Sequence, residues 1–233
     1  MSDDNAPTPT ASSVVRVWDL PTRLFHWLLA AAVAAQVVTG HIGGTAMTWH
    51  FRSGYCIFAL LAFRLVWGLV GGHWSRFVNF VYGPASMLRY LRGRQRSDDL
   101  FHVGHNPLGS ASVFAMLAML SLQVATGLVA DDDAGNTGPL NRFVSNAFAL
   151  SATGWHKGPG QILILALIAL HVAAIAFYTL HRRHELVRPM WHGDKLLAAP
   201  VPASVDDRIT RMRALAIAVV CAAIVAAVVK LGG

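Results

Sequence analysis

The chain has 233 residues, of which 55% are hydrophobic and only 13% are charged, a balance that excludes an ordinary soluble domain. The formal net charge of +7 would suit a protein that binds nucleic acid. The basic residues lie, however, in the segments between apolar blocks, so membrane topology explains the charge and we expect no nucleic-acid partner. Cys56 and Cys221 both lie inside apolar runs, so they predict no disulfide.

The first residues of the chain are polar and acidic, and they lack the basic and apolar regions of a signal peptide. We expect residues 1–15 to form a disordered cytoplasmic tail. The run from Val17 to Arg23 follows, with aromatic and basic residues that suit the lipid headgroup region. Pro21 within this run suits the first turn of a helix.

Five apolar blocks come next, each about the length of a helix that crosses a bilayer. They predict an all-α integral membrane protein, with a four-helix transmembrane bundle over residues 16–197. A linker and one additional C-terminal transmembrane helix are predicted over residues 198–233. We expect the basic segment 182–212 to lie along the membrane surface or to dock under the bundle. The blocks cover residues 24–41, 54–71, 108–130, 161–181 and 213–231.

The distribution of lysine and arginine gives the orientation of these helices. With the N-terminus in the cytoplasm, all but four of the 19 basic residues lie in cytoplasmic segments. The four on the other side are Arg52, Arg142, Lys157 and Lys230. This bias predicts a multi-pass membrane protein whose N-terminus is cytoplasmic.

The fourth block has one histidine at its mouth, His156, and another deep inside it, His171. Their separation of fifteen residues spans ~22 Å of a single helix and returns to about the same face, so the two imidazoles would lie near opposite sides of the bilayer. A histidine inside lipid is costly unless it faces a partner or a cofactor. His26, early in the first span, matches the depth of His171, and His50, at the mouth of the second span, matches the depth of His156.

These two depth-matched pairs predict a haem-binding bundle with two b-type haems, one above the other. Imidazole is a common axial ligand of haem iron, and bundles build cofactor sites from side chains on facing helices. We therefore predict that His26 and His171 ligate one iron and that His50 and His156 ligate the other.

Three arginines are candidates for pairing with the propionates of such haems, although each could equally be a topology arginine. Arg52 lies on the His50 side of the membrane, whereas Arg23 and Arg64 lie on the other side. Arg64 favours a functional role because a charge inside an apolar block is costly. His41 is a rival of His50, but the glycines around it favour a loop. The remaining histidines are expected in solvated loops or at the headgroups: His73, His102, His105, His181, His184 and His192.

Five runs across residues 15–197 form a recognisable set of motifs. In chain order they are V-W-D-L-P-T-R-L-F-H-W (17–27), H-F-R-S-G-Y (50–55), R-L-V-W-G (64–68), G-H-N-P-L-G (104–109) and L-V-R-P-M-W-H-G-D-K (186–195). Together they resemble the bacterial cytochrome b561 family, which includes the b-type cytochrome subunits of nickel-iron hydrogenases. The resemblance implies a four-helix dihaem protein of the bacterial inner membrane whose ligands map onto the same four histidines. It also implies electron transfer between a quinone, as a further ligand, and a periplasmic c-type cytochrome or a hydrogenase or dehydrogenase subunit.

Two other interpretations stay open at the level of the sequence. The run K-G-P-G-Q after His156 departs from the family pattern, which motivates a protein that keeps only the His26–His171 haem and anchors a periplasmic oxidoreductase. The other alternative is a histidine-lined transporter or metal carrier, although no buried acids or broken mid-membrane helices mark such a pathway. The sequence leaves the oligomeric state open.

Overall fold

The computed structural model describes residues 12–94, 96, 99–198 and 200–232. Within that part of the chain, five helical stretches are long and apolar enough to cross a membrane, which confirms the five predicted blocks. The fourth stretch is divided into two helices, and two further short helices connect the stretches. In chain order the helices are α1 (Leu20–Ile42), α2 (Met47–Val70), α3 (Pro84–Leu91), α4 (Pro107–Val129), α5 (Asn146–Lys157), α6 (Pro159–Leu180), α7 (Val187–His192) and α8 (Arg208–Lys230).

Helices α1 and α2 begin earlier than hydropathy alone predicts. The side chain of Asp19 caps α1 by accepting a hydrogen bond from the backbone N–H of Thr22 at 2.8 Å, and Pro21 occupies the first turn. Helix α2 begins at Met47, so His50 lies in its first turn.

The fourth span is not a single helix. Gly158, with φ −104° and ψ −108°, separates α5 from α6, and Pro159 begins the second helix. His156 therefore lies on α5 and His171 on α6, which corrects the expectation that one helix carries both.

The membrane helices form two packed groups that meet through α2 and α4. Helix α1 packs along α2, helix α4 packs along α5 and α6, and α8 packs mainly on α2. Many large apolar side chains on the outward faces are exposed, as expected for surfaces that contact lipid. The buried contacts between helices come from Phe25, Ile57, Leu61, Phe63, Trp67, Leu117, Leu120, Ile164, Ala214 and Cys221.

A two-stranded antiparallel sheet closes one end of the bundle. Strand β1 (Ser13–Arg16) pairs with β2 (Asp194–Leu197), so that Ser13 is opposite Leu197 and Arg16 is opposite Asp194. The tail expected over residues 1–15 is therefore ordered from Ser13 because its backbone pairs with β2, while residues 1–11 lie outside the described residues. We call this end of the bundle the sheet end and the opposite end, with residues 130–158, the loop end.

Ion pairs tie the sheet to the segment before α8, so the basic segment 182–212 docks against the bundle. Arg16 contacts Asp194 at 2.5 Å and Asp206 at 2.6 Å. Asp206, almost fully buried, also contacts Arg211 at 3.0 Å and lies 3.8 Å from Arg23. One carboxylate thus joins the start of α1, the strand β1 and the start of α8.

A second carboxylate, Asp19, joins the start of α1 to the end of α2. It is fully buried, and besides capping Thr22 it accepts hydrogen bonds from Trp67 Nε1 at 3.2 Å, Gly72 N at 3.1 Å and Ser75 Oγ at 2.7 Å. A buried carboxylate is tolerated when its oxygens are satisfied in this way. Asp19 thereby fixes where α1, and with it His26, stands relative to α2.

Candidate functional site

The structure brings His50 of α2 and His156 of α5 together at the loop end. Their ring centres lie 6.1 Å apart, and the ring planes are inclined at 81°. Nδ1 of His50 lies 3.2 Å from the backbone carbonyl oxygen of Gln36, and Nδ1 of His156 lies 2.9 Å from that of Gln123. A carbonyl oxygen can only accept a hydrogen bond, so Nδ1 carries the proton in both rings. Nε2 of each ring is left with its lone pair available to a ligand.

A cavity of about 480 Å³ lies between these two rings. Its walls are mainly apolar, with Ile57 and Ile164 among them, and a few polar groups such as Tyr55 and Lys157 line its edge. This size and mixture of side chains are typical of a site for an organic cofactor.

His26 of α1 and His171 of α6 form a second pair towards the sheet end. Their ring centres lie 6.4 Å apart, with the planes inclined at 51°. Nδ1 of His26 is buried and has no hydrogen-bond partner among the described residues. Trp27 packs edge-on to His26 at 5.0 Å and stacks on Trp191 at 4.5 Å, so aromatic side chains cover this pair on the side of α7.

Arg64, a residue predicted to serve the site, lies deep inside α2 with 3% of its surface exposed. Its guanidinium packs over the ring of Phe77 at 4.6 Å, and its Nη1 has no hydrogen-bond partner within the described part of the chain. A buried charge without a counterion costs several kcal/mol, whereas a buried charge that faces an anion is tolerated. The surroundings of Arg64 therefore fit an anionic ligand group.

The other two predicted arginines have protein partners of their own. Arg23 donates a hydrogen bond to the backbone oxygen of Trp191 at 2.5 Å and lies near Asp206. Arg52 is exposed, and its guanidinium lies 5.2 Å from the ring centre of Trp49. Neither arginine lines the loop-end cavity, whereas Lys157 does.

Two other histidines lie outside both histidine pairs. His41 is exposed and bonds through Nδ1 to the carbonyl oxygen of Val37 at 2.7 Å, so it lies outside the loop-end pair. His105, expected in a solvated loop, instead packs between Trp18 at 4.8 Å and Phe80 at 4.5 Å, and its Nδ1 is buried without a partner in the described structure. Burial, and after it the positive charge of Arg64, lowers the pKa of His105 to about 3.

Sequence inspection missed His105 and the carbonyl groups of Gln36 and Gln123. His105 follows a glycine and precedes Asn-Pro, a pattern typical of loops, and only the aromatic side chains that close over it bury the ring. Every residue has a backbone carbonyl group, so the sequence does not show which of them contacts a histidine. The run Q-V-x-T-G around each glutamine is the signal that could have indicated these positions.

A family model described as prokaryotic cytochrome b561 matches residues 17–193 of the chain. A probable Ni/Fe-hydrogenase B-type cytochrome subunit of Bradyrhizobium diazoefficiens is 20% identical over 226 residues, which cover 83% of this chain and 91% of that protein. A protein of the same description from Rhodobacter capsulatus is 25% identical over 229 residues, 84% of each chain. A probable Ni/Fe-hydrogenase 1 B-type cytochrome subunit of Escherichia coli K12 is 27% identical over 139 residues, 48% of this chain and 57% of that one. No solved structure matches the chain significantly.

Proposed function

Because this chain belongs to the prokaryotic cytochrome b561 family, we propose that it is a dihaem b-type cytochrome of the bacterial inner membrane. It carries electrons between a quinone pool and a periplasmic redox partner. Helices α1, α2, α4 and the α5–α6 span form the four-helix haem bundle, and α8 is the additional helix. The sheet end faces the cytoplasm, as the distribution of basic residues favours.

The observation that carries this proposal is the spacing of the two histidine pairs. Two imidazoles bound on opposite sides of one metal, with metal–nitrogen bonds of ~2 Å and ring centres ~1 Å further out, have their centres ~6 Å apart. The observed separations are 6.1 Å and 6.4 Å. The two pairs also lie at different depths, since the ten residues from His26 to Gln36, which contacts His50, rise ~15 Å along α1.

The side chains present fit haem at both positions. His26 with His171, and His50 with His156, would ligate the irons, and Arg64 would meet a propionate near the sheet-end pair. Haems held in this way would supply one-electron chemistry at two depths of the bundle.

Roles for Arg23 and Arg52 as propionate partners stay predictions, since both have other contacts. Lys157, at the edge of the loop-end cavity, has a more direct approach to an anionic group there. Its ammonium lies 3.9 Å from Asp132, and its side chain is largely exposed, so it can turn towards either partner.

The redox partner follows from the descriptions of the relatives. Because several are named as hydrogenase cytochrome subunits, a periplasmic hydrogenase subunit leads our list of partners, with a dehydrogenase subunit or a c-type cytochrome as the others. The quinone is proposed from the resemblance to the family alone.

The two alternatives receive less support. The anchor with a single haem was motivated by the departure after His156, yet the backbone holds His156 in the same way as His50. Against the metal carrier, no group of three or more metal-ligating side chains converges in the described part of the chain.

Haem content per polypeptide tests the proposal. A pyridine haemochrome assay on detergent-purified protein should give two b-type haems per chain. His156→Leu and His171→Leu should each remove one haem, while His41→Leu, which changes an exposed histidine near the loop end, should keep both. A single haem in the unaltered protein would support the anchor, and none in protein made with ample haem would exclude a cytochrome.

A further inference from the structure

A short sequence repeat lies beside each histidine of the loop-end pair. Residues 36–40 of α1 read Q-V-V-T-G, and residues 123–127 of α4 read Q-V-A-T-G. On a helix, positions one, four and five of such a run share a face, so the glutamine, threonine and glycine of each segment point the same way. We call these two segments the cradles.

The cradle on α1 holds His50 through several contacts. The carbonyl oxygen of Gln36 accepts from Nδ1–H of His50 at 3.2 Å, and the hydroxyl oxygen of Thr39 lies 3.4 Å from the same nitrogen. The Thr39 hydroxyl donates to Ala35 O at 2.6 Å, which leaves its lone pairs to face the imidazole. The side-chain amide of Gln36 donates to the backbone oxygen of His50, so both the ring and the backbone of His50 are fixed.

The cradle on α4 repeats these contacts around His156. The carbonyl oxygen of Gln123 accepts from Nδ1–H of His156 at 2.9 Å, and Thr126 Oγ1 lies 3.3 Å from that nitrogen. Thr126 donates to Leu122 O at 2.9 Å, and the amide of Gln123 donates to the backbone oxygen of His156 at 3.1 Å. Two helices in different halves of the chain therefore present the same set of groups to the two rings.

The glycine that ends each cradle lies next to the histidine ring. A Cβ atom at Gly40 would come within 3.1 Å of Cε1 of His50, and one at Gly127 within 3.1 Å of Cε1 of His156. Contacts this short require the ring to move by a few tenths of an ångström. Any side chain at either position would therefore push the imidazole away from its carbonyl partner.

The sheet-end pair has no such support. Nδ1 of His26 is buried and has no hydrogen-bond partner in the described structure, whereas Nδ1 of His50 and of His156 each face a backbone carbonyl oxygen. A hydrogen bond from Nδ1–H of a metal-bound imidazole makes the ring a better electron donor, which stabilises the oxidised metal. The two pairs therefore differ in the property that sets a reduction potential.

We propose that the two cradles are positioning devices that hold Nε2 of both loop-end imidazoles towards a shared iron and lower the midpoint potential of the loop-end haem. This inference rests on the proposed function. It adds six residues that act through the two ligands: Gln36, Thr39, Gly40, Gln123, Thr126 and Gly127.

The test uses Gly40→Ala and Gly127→Ala in the full-length, haem-loaded protein. Gly154→Ala is the matched control, because it also changes a helical glycine near His156 but its Cβ would enter open space. Redox titration followed by optical absorbance gives the two midpoint potentials, and electron paramagnetic resonance gives the g-values of each low-spin ferric haem. We expect both cradle variants to raise one midpoint and shift one set of g-values, and the control to leave both haems unchanged.

The proposal is overturned if both cradle variants match the control, or if they shift the two haems equally. If alanine at these glycines prevents recovery of intact protein, Thr126→Val and Thr126→Ser replace them. The proposal is supported if Thr126→Val raises the midpoint potential of the loop-end haem and Thr126→Ser leaves it at the value of the unaltered protein. It is refuted if the two variants have the same midpoint potentials. Failure of the proposed function is distinguishable, because the unaltered protein would then bind fewer than two haems.

Discussion

Replacing Asp19 with asparagine removes the charge and one acceptor oxygen from the carboxylate that joins α1 to α2. Thr22 N and Trp67 Nε1 donate to one oxygen, while Gly72 N and Ser75 Oγ donate to the other. An asparagine NH₂ group must face one of these two sets of donors. In the less costly orientation the Ser75 hydroxyl turns to accept, but the Gly72 N–H loses its acceptor.

An unsatisfied buried N–H, together with the loss of charge-assisted bonds to the remaining donors, costs ~2–4 kcal/mol. For a chain of this size the melting temperature should fall by ~5–15 °C. Tryptophan fluorescence of the haem-loaded protein in detergent, followed during heating, measures the change.

Asp207→Asn is the matched control for this substitution. Asp207 caps α8 by accepting from Thr210 N at 2.8 Å, as Asp19 caps α1, but it is exposed. Asparagine caps helices about as well as aspartate, so the control should change stability by less than ~0.5 kcal/mol. Equal melting temperatures for the two variants would refute the role assigned to Asp19.

Three further predictions concern buried side chains that are charged or titratable. Arg64→Met should speed the loss of haem from the sheet-end site, whereas Arg52→Met should not. Haem transfer to an excess of apomyoglobin measures both rates, and equal rates would contradict the propionate role of Arg64. The pKa of His105 is lowered to about 3 in the folded protein, so on acidification the unfolded chain takes up this proton before the folded protein does. The contribution of His105 to stability is therefore complete above pH ~6.5 and is lost as the pH falls towards ~3. In His105→Phe the melting temperature should depend less on pH between ~3 and ~6.5 than in the unaltered protein. The same dependence in both proteins would contradict the burial of the His105 ring. Asp206→Asn removes the shared partner of three arginines and should lower stability by ~1–3 kcal/mol in thermal melts, whereas no change would show that the ion pairs are dispensable.

The sequence predicts the membrane helices well because lipid imposes a strong constraint on them. A spanning helix must satisfy its own backbone and present about twenty apolar residues, so hydropathy alone indicates five helices. The depth of each histidine in the membrane can also be predicted from its position along the helix. The structure places His26 near His171 and His50 near His156. Their role as ligands stays a prediction.

The sheet end was harder to predict because its contacts join residues that are far apart in the chain. Arg16 and Asp194 are 178 positions apart, and four residues at each site carry too little pattern to indicate a strand. The burial of His105 depends likewise on Trp18 and Phe80, which come from two other segments. The role of the repeated Q-V-x-T-G run becomes clear only from the structure, in which the carbonyl oxygen of each glutamine faces an imidazole.

The cradles also bear on the order in which the protein is assembled. Each loop-end histidine is held by a residue nearby in sequence, Gln36 for His50 and Gln123 for His156, so each half of the site can form within its own helical hairpin soon after synthesis. The strand β1, by contrast, must wait until β2 emerges from the ribosome. We therefore expect two hairpins, each with its imidazole already oriented, to close around the haem, and the sheet to seal the assembly last.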